Sequence, residues 1–481
     1  MINGLNLLKG DGLKFAVTYD SGLWEISLGR WGIHLLEELR LNLALPTVSS
    51  IISIIFIAIC SVLLIKLFAI KSKINIIIIS MFVAVCPVLT VTLLFTYVSD
   101  LYCLALLLSV LSVYILYTEK NIKMKFIVVT ILTTFMLSIY QSYIGVTLGL
   151  ILSITIIQCI QSKDIKVTWK NFIINMFIIF IGCILYLIIT FLVLKICHVE
   201  LSNYKGAEAI GLQNILKQLP NSIATTYKTT YDYFFTDNIL VNRCYNRNIF
   251  FSIFSLIATI ILIKLIYRKK CSNILSIIIL VLFMPIALDI IEVIMPNSGF
   301  YILEAYQFIL PIILGIKLID MLKDDIFKVI PIFLCFVIIY TYYLQANASY
   351  TAIELSHNQL YTAAIKISNS IENSLEYQPK DSVCIVGTID NLNLQKEEIF
   401  KKTYCSIVNA PLITNSSYSA QIEKWKKFFT IYLGTQYKYC TIKQYNQIIE
   451  TDEFKKMPVY PEKGYIQEIN NVIVVKLNNV K

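Results

Sequence analysis

The sequence predicts a mainly α fold, a polytopic helical membrane protein of about ten transmembrane helices followed by a small C-terminal α/β domain. Three observations predict it. Mean hydropathy is +0.70 with only 15% charged residues, which excludes an ordinary soluble enzyme. Apolar runs long enough to cross the hydrocarbon, roughly 20 residues each, recur from position 47 to about 344. Basic residues concentrate in every second connection between those runs, which is how membrane proteins set their orientation.

Ten spans follow from the apolar runs: 48–68, 75–97, 101–118, 126–142, 144–160, 171–195, 249–267, 273–294, 300–318 and 329–345. The turns between 97 and 101 and between 142 and 144 are too short for ordinary loops, so they predict tight helical hairpins or spans that stop short of the far surface. Lys66, Lys71 and Lys73 close the first connection and Lys120, Lys123 and Lys125 the third. Lys163, Lys166 and Lys170 follow, then Arg268, Lys269 and Lys270, then Lys317, Lys323 and Lys328. By the positive-inside rule these connections face the cytoplasm. The segment 1–47, the long loop 196–248 and everything after 345 then share the outer face. A segment is normally exported behind a preceding apolar helix, so either the N-terminal region inserts unaided or one further span lies upstream of Met1, the second being the expectation.

The formal charge of +10 belongs to this topology signal and does not indicate a nucleic-acid partner. The 12 cysteines contain no CxxC pair, and most lie inside apolar runs as small hydrophobes. Cys384, Cys405 and Cys440 lie in the tail; one disulfide among them is open, though nothing in their spacing argues for it.

Three regions result: 1–47, an outer loop carrying candidate catalytic acids; 48–345, the transmembrane domain with its outer loop 196–248; and 346–481, an extracytoplasmic α/β domain. Within the outer loop, Leu212–Tyr227 is amphipathic and suits an interface. In the tail, Ser382–Gly387 alternates like a buried strand ended by glycine, and Ala420–Tyr432 has helical periodicity. A turn at Pro461–Gly464, a strand, the turn Asn470–Asn471 and a final strand Val472–Leu477 complete it. The richness in Ile, Asn and Lys fits an AT-rich bacterial genome, and the localisation expected is the bacterial cell membrane.

Walker, HExxH, GxSxG and Rossmann patterns are absent, and His34, His198 and His357 are scattered, each read as structural or solvated. What remains is a set of polar groups at the outer ends of spans. The stretch Asp11–Trp31 is the first, and acids beside a bilayer are costly to keep without a reason. Asp11 and Asp20 are candidate bases, because a sugar hydroxyl attacks only when a base takes its proton. The same pair is an alternative ligand set for a divalent cation, and either aspartate alone is as readily an ordinary loop charge. Glu25 could act with them or cap a helix. In Gly29–Gly32 an arginine, Arg30, suits a phosphate, and Trp31 suits either the site or the interfacial belt. Asp100 sits in the turn Thr96–Asp100, as a site carboxylate or a helix cap. Tyr140 and Gln141 lie at the second tight turn, where polar groups line a cavity or glue helices together. Asp289, Glu292 and Glu304 are buried acids near outer helix ends, with site and packing roles not separable.

The order of these segments carries a resemblance. DGL at Asp11–Leu13, GRWG at Gly29–Gly32, then Pro87 and FTYVSDLY around Asp100, then SIYQSY around Tyr140, resembles the bacterial glucosyltransferase family of the type II O-antigen conversion kind. The tail sequence MPVYPEKG from Met457, followed by NNVIVVKL, is similar to the end of Gram-positive members, which would extend the match over nearly the whole chain. The family pattern has a span ahead of the first loop that this chain does not show.

The resemblance implies a polytopic GT-C-like transferase. Such an enzyme takes a hexose, glucose by family, from a polyprenyl-phosphate donor on the outer face and passes it to a cell-surface polysaccharide acceptor. It implies Asp11 as the base with Asp20 next, and Arg30 and Asp100 holding the phosphate or donor sugar. One base and no covalent intermediate predict inversion at the anomeric carbon. Rival readings are a lipid-linked sugar transporter or flippase, a polysaccharide polymerase, and a scaffold presenting its tail to a partner. A flippase should carry charge pairs in mid-membrane and symmetric helix breaks, whereas the acids here sit mainly at outer ends.

Overall fold

The computed structural model describes residues 18–161, 164–204, 212–240, 246–269, 273–296, 298–322, 326–374, 378, 381–389 and 417–479. The chain divides into two compact units, Val17–Ala346 and one that holds Asn347–Lys481.

The first unit is helical. Its elements are α1 (Leu23–Ser27), α2 (Trp31–Leu39), α3 (Pro46–Leu67), α4 (Lys73–Val85), α5 (Pro87–Thr92), α6 (Ser99–Thr118), α7 (Ile122–Ile139), α8 (Ile144–Gln161) and α9 (Ile165–Ile196). After them come α10 (Leu212–Phe235), α11 (Arg247–Arg268), α12 (Ile274–Leu288), α13 (Ile290–Ile294), α14 (Ile309–Asp320) and α15 (Val329–Glu372), the last running on into the second unit. Among the described residues, eight helices are long and apolar enough to span a bilayer. The chain is thus a multi-pass membrane protein, with fewer continuous spans than the hydropathy predicts.

The shortfall has local causes. The span expected at 75–97 breaks at Cys86, held extended (ψ 132°) by the following Pro87. The span expected at 273–294 stops at Leu288 and resumes as α13. The break frees the Leu288 carbonyl, which accepts 2.7 Å from Gln307 Nε2 instead of from its own helix. The span expected at 300–318 opens with two single turns, Ile302–Glu304 and Tyr306–Phe308, so only α14 is a regular helix there. The first of those turns is capped from within, as the Tyr301 N–H donates to Glu304 Oε2 at 3.4 Å.

Helix α8 is the centre of the unit. In the span that contains it the most apolar window is 89% buried, against 22% for α11, which keeps most of its surface for lipid. Gly145 and Gly149 allow that centrality, since they form the small-residue face on which α12 and α14 rest. A Cβ at Gly145 would lie 2.7 Å from the Leu288 carbonyl oxygen, and one at Gly149 2.8 Å from Leu310.

Polar contacts tie each end together. At one end Asp320 accepts from Lys71 N (3.2 Å), Ser72 N (3.0 Å) and Asn75 Nδ2 (3.0 Å), so a carboxylate on α14 caps α4. Lys317 stands beside it, 3.8 Å from Asp320 and 2.9 Å from the Ala69 carbonyl. Two lysine-rich connections therefore meet there. At the other end Ser202 N donates to Ser27 O (2.8 Å), and Arg40 reaches Asp100. These contacts join the first polar stretch to the 196–248 loop and to the first turn of α6.

The second unit is an α/β sandwich. Its strands β1 (Ser382–Val386), β2 (Lys438–Tyr439), β3 (Ile466–Ile469) and β4 (Val472–Lys476) lie in the order β2-β1-β4-β3. β1 is parallel to β2 and β4, while β3 and β4 are antiparallel across Asn470 and Asn471. Both asparagines are left-handed (φ 53° and 56°), as a two-residue hairpin requires. Val383 and Ile385 face Ile367, Ile371, Trp425 and Phe428 on one side of the sheet. Cys384 and Val386 face Tyr418, Ile448 and Phe454 on the other. The helices supplying those layers are the end of α15, α16 (Tyr418–Phe428), α17 (Ile442–Glu450) and α18 (Asp452–Lys456).

β4 carries one charge into this core. Lys476 is 2% exposed, and its Nζ donates to the carbonyls of Phe454 (2.9 Å), Met457 (2.9 Å) and Lys455 (3.3 Å) at the end of α18. Burial pulls its ammonium below the ordinary lysine range. Lys476→Met keeps the apolar stem but orphans those carbonyls, so it is expected to destabilise the protein by about 2 kcal/mol in denaturant titration. An unchanged midpoint would show that water satisfies them equally well.

Candidate active site

The polar stretch of the sequence folds back on itself. Thr18 pairs with Leu43 and Tyr19 N donates to Asn42 O (2.8 Å), closing residues 18–43 into one loop that contains α1 and α2. Gly22 (φ 54°, ψ −134°) opens α1 in a conformation other residues avoid. Gly29 (φ 75°) ends it, and a Cβ there would lie 2.6 Å from Tyr186 Oη. At Gly32 a Cβ would overlap Ser138, so the backbone of α2 rests directly on α7. The two glycines flanking Arg30 and Trp31 are thus what lets the loop sit down on the bundle.

Seating the loop buries a polar cluster. Glu25 is 7% exposed. Tyr19 Oη donates to its Oε1 (3.2 Å), and Arg30 Nη1 lies 3.6 Å from its Oε2. Arg30 Nε donates to Gln141 Oε1 at 3.4 Å, and its guanidinium stacks 5.2 Å over the Tyr140 ring. Gln141 Nε2 in turn donates to Leu28 O and to Tyr186 Oη, both at 2.9 Å, and Trp31 Nε1 donates to Thr190 Oγ1 at 3.1 Å. Glu304 lies close enough to Tyr140 to interact with it, which puts the broken entry to α14 beside the same ring.

Electrostatics single out Glu25. Burial pushes its carboxyl above the ordinary range; Arg30 and the Tyr19 hydrogen bond oppose that rise, and the nearby Glu37 adds to it. Glu37 is itself fully buried, taking Ser21 Oγ at 2.5 Å and His34 Nδ1 at 3.0 Å on Oε1. The result is a partly dry carboxylate with a fixed cation beside it, which is the environment of a general base next to an anion site.

A second pair lies beyond Tyr19. Arg40 Nη1 donates to both oxygens of Asp100 at 3.0 Å, and Nη2 to the Tyr97 carbonyl at 2.6 Å. The Tyr19 ring packs tilted (52°) against Tyr97 with centroids 4.7 Å apart, joining the two clusters. Arg40 and Asp100 also line an apolar groove of about 260 Å³ with Leu39, Leu45, Val48 and Ile52.

The structure brings Arg30, Tyr140 and Gln141 together, with Trp31 on the adjoining helix α9 contact. Asp100 stands apart from them on Arg40. Asp20 is exposed, and its Oδ1 accepts from Gly22 N (2.9 Å) in the turn that starts α1. Asp11 lies outside the described residues. Asp289 and Glu292 are buried at the α12 break, where Ser298 Oγ donates to Glu292 at 3.4 Å. Among the described residues no three His, Cys, Asp or Glu side chains are grouped as metal ligands.

The cluster puts Glu25 at its centre, and Arg40, which the sequence reading did not single out, holds Asp100. The signal for Arg40 was available, since it is the one basic residue between Arg30 and Lys66. That for Glu25 was not, because its partners Tyr19, Arg30 and Glu37 meet only through the glycine turns.

No curated protein and no solved structure matches this chain. A family model described as Glucosyl transferase GtrII matches residues 6–312. The match takes in the folded loop, the Tyr140 turn and the helix breaks at Cys86 and Asp289, and it ends ahead of the tail. It spans more than half of the sequence, so the chain belongs to the glucosyl transferase GtrII family.

Proposed function

We propose that the protein moves a hexose, glucose by family, from a polyprenyl-phosphate carrier to a cell-surface polysaccharide on the outer face of the membrane. The observation that carries this reading is the buried Glu25–Arg30 pair, held at a bundle end by Tyr19, Tyr140 and Gln141. An attacking hydroxyl needs a base, and a departing phosphate needs a cation. The pair supplies both within one loop.

In the proposed reaction Glu25 takes the proton of the acceptor hydroxyl as its oxygen bonds to the anomeric carbon. The bond from that carbon to the carrier phosphate breaks on the opposite side, giving inversion. Arg30 balances the charge gathering on the phosphate. The sugar rests against Tyr140, whose ring face already holds the arginine. Asp20 on the same loop and Asp11 ahead of it in the sequence remain further candidates for the base. The lysine-rich connections at the opposite bundle end support an outer position for the site.

Surface-glycan analysis of a deletion strain tests the reading, with complementation by wild type, Glu25→Gln and Asp11→Asn. Loss of a hexose substituent that wild type and Asp11→Asn restore and Glu25→Gln does not is the expected result. Glycans unchanged by the deletion would end the transferase reading, and accumulation of unflipped lipid-linked sugar would favour transport instead.

A further inference from the structure

We propose that Cys384 and Cys440 form a reversible redox pair in the C-terminal unit, closing to a disulfide by exchange with a small disulfide such as oxidised glutathione. The strand register carries the inference. Val383 pairs with Tyr439 across β1 and β2, and Cys440 N donates to the Val383 carbonyl at 3.0 Å. The next rung of that parallel ladder is Cys384 opposite Cys440. Parallel partners lie about 4.8 Å apart, inside the span a disulfide bridges.

Side-chain direction agrees. Both cysteines belong to the same apolar layer, with Tyr418, Ile448 and Phe454, so both thiols point to one face of the sheet. They are within hydrogen-bonding reach of each other, and Tyr418 Oη lies 2.9 Å from Cys440 Sγ. The Tyr418 ring is fixed by stacking on Tyr445 at 4.0 Å.

The two thiols are not equivalent. Hydrogen bonds from Cys384 and Tyr418 favour the thiolate of Cys440, whereas Cys384 is pushed up by its hydrogen bond to Cys440 and by burial. Cys440 also lies at the end of β2, the edge strand of the sheet, while Cys384 is fully enclosed on β1. Cys440 is therefore the nucleophile.

Its thiolate attacks one sulfur of glutathione disulfide, and the first glutathione leaves with the proton that Cys440 gave up. Cys384 then loses its proton and attacks Cys440 Sγ, expelling the second glutathione. Two electrons and two protons pass from the cysteines to the glutathione pair. The same exchange run in reverse by a thiol reduces the bond again. The pairing requires only the sheet register and stands whichever side of the membrane the unit faces.

The test uses the full-length protein in detergent, treated with glutathione disulfide, quenched with N-ethylmaleimide, then unfolded, digested and read by mass spectrometry. The expected result is a linked peptide pair joining Cys384 to Cys440, lost on dithiothreitol treatment before the quench, with maleimide labelling gone from both positions. In Cys384→Ser a glutathione adduct should remain on Cys440, the trapped first step. Maleimide on both cysteines of treated wild type would overturn the proposal, as would a link from either to Cys405.

Discussion

Replacing Glu25 by Gln is expected to slow glycosyl transfer by about 1,000-fold while the protein still inserts and purifies. The substitution keeps the shape and an oxygen that Tyr19 can reach, but it removes the group that would accept the hydroxyl proton. The pH profile gives a second reading of the same idea. A carboxylate works as a base only when deprotonated, and burial raises Glu25 above the ordinary carboxylate range, near 4. The acidic limb of kcat/KM should therefore lie above that range in wild type, with activity rising as pH increases through it. Glu25→Gln should lack the limb. Assays in membranes supplied with polyprenyl-phosphate glucose would decide the matter. Wild-type turnover in Glu25→Gln would move the base to Asp11 or Asp20.

The second large effect is on stability. Arg40→Met is expected to cost about 3 kcal/mol, because it leaves the Asp100 carboxylate largely buried without its bidentate partner. Asp100→Leu should cost a similar amount by stranding Arg40 against the Tyr97 carbonyl. The double variant should recover most of the loss, since an apolar pair suits a groove already lined by Leu39, Leu45 and Val48. Denaturant titration of the full-length protein in detergent measures all of these. Strictly additive losses would show that the two side chains are not energetically coupled.

Hydropathy made the class of fold legible, because crossing a bilayer imposes one length on every span. Positions where helices break were less so. Residues 300–318 read as one apolar run, yet the turn at Ile302 is capped locally by Glu304 on Tyr301 N, and beside the turn at Tyr306 Gln307 bonds to the Leu288 carbonyl of another helix. The Gln307 bond is tertiary and leaves no period in the chain. The tail shows the opposite case: the expected strands at 382–387 and 472–477 match β1 and β4 closely, since strands buried on both faces are recognisable by composition. The helix expected at 420–432 covers α16 and the widened turn after it, Phe429–Leu433. At the site, Arg30, Tyr140 and Gln141 were legible as polar residues at helix ends. Glu25 was ambiguous because its role depends on what the loop is pressed against, and that is decided by Gly29 and Gly32.

The Asp320 cap on α4 sets an order of events during synthesis. Lys71 and Ser72 expose their N–H groups as soon as the ribosome releases them, but the carboxylate that satisfies them is encoded 249 residues after Lys71. At roughly 5 to 20 residues per second, the start of α4 waits about 12 to 50 s for its partner. Until then that end of the nascent bundle can be held only by water or by the insertion machinery. Completion of α14 would thus act as a latch, so a chain truncated before Asp320 should remain associated with its translocation partners.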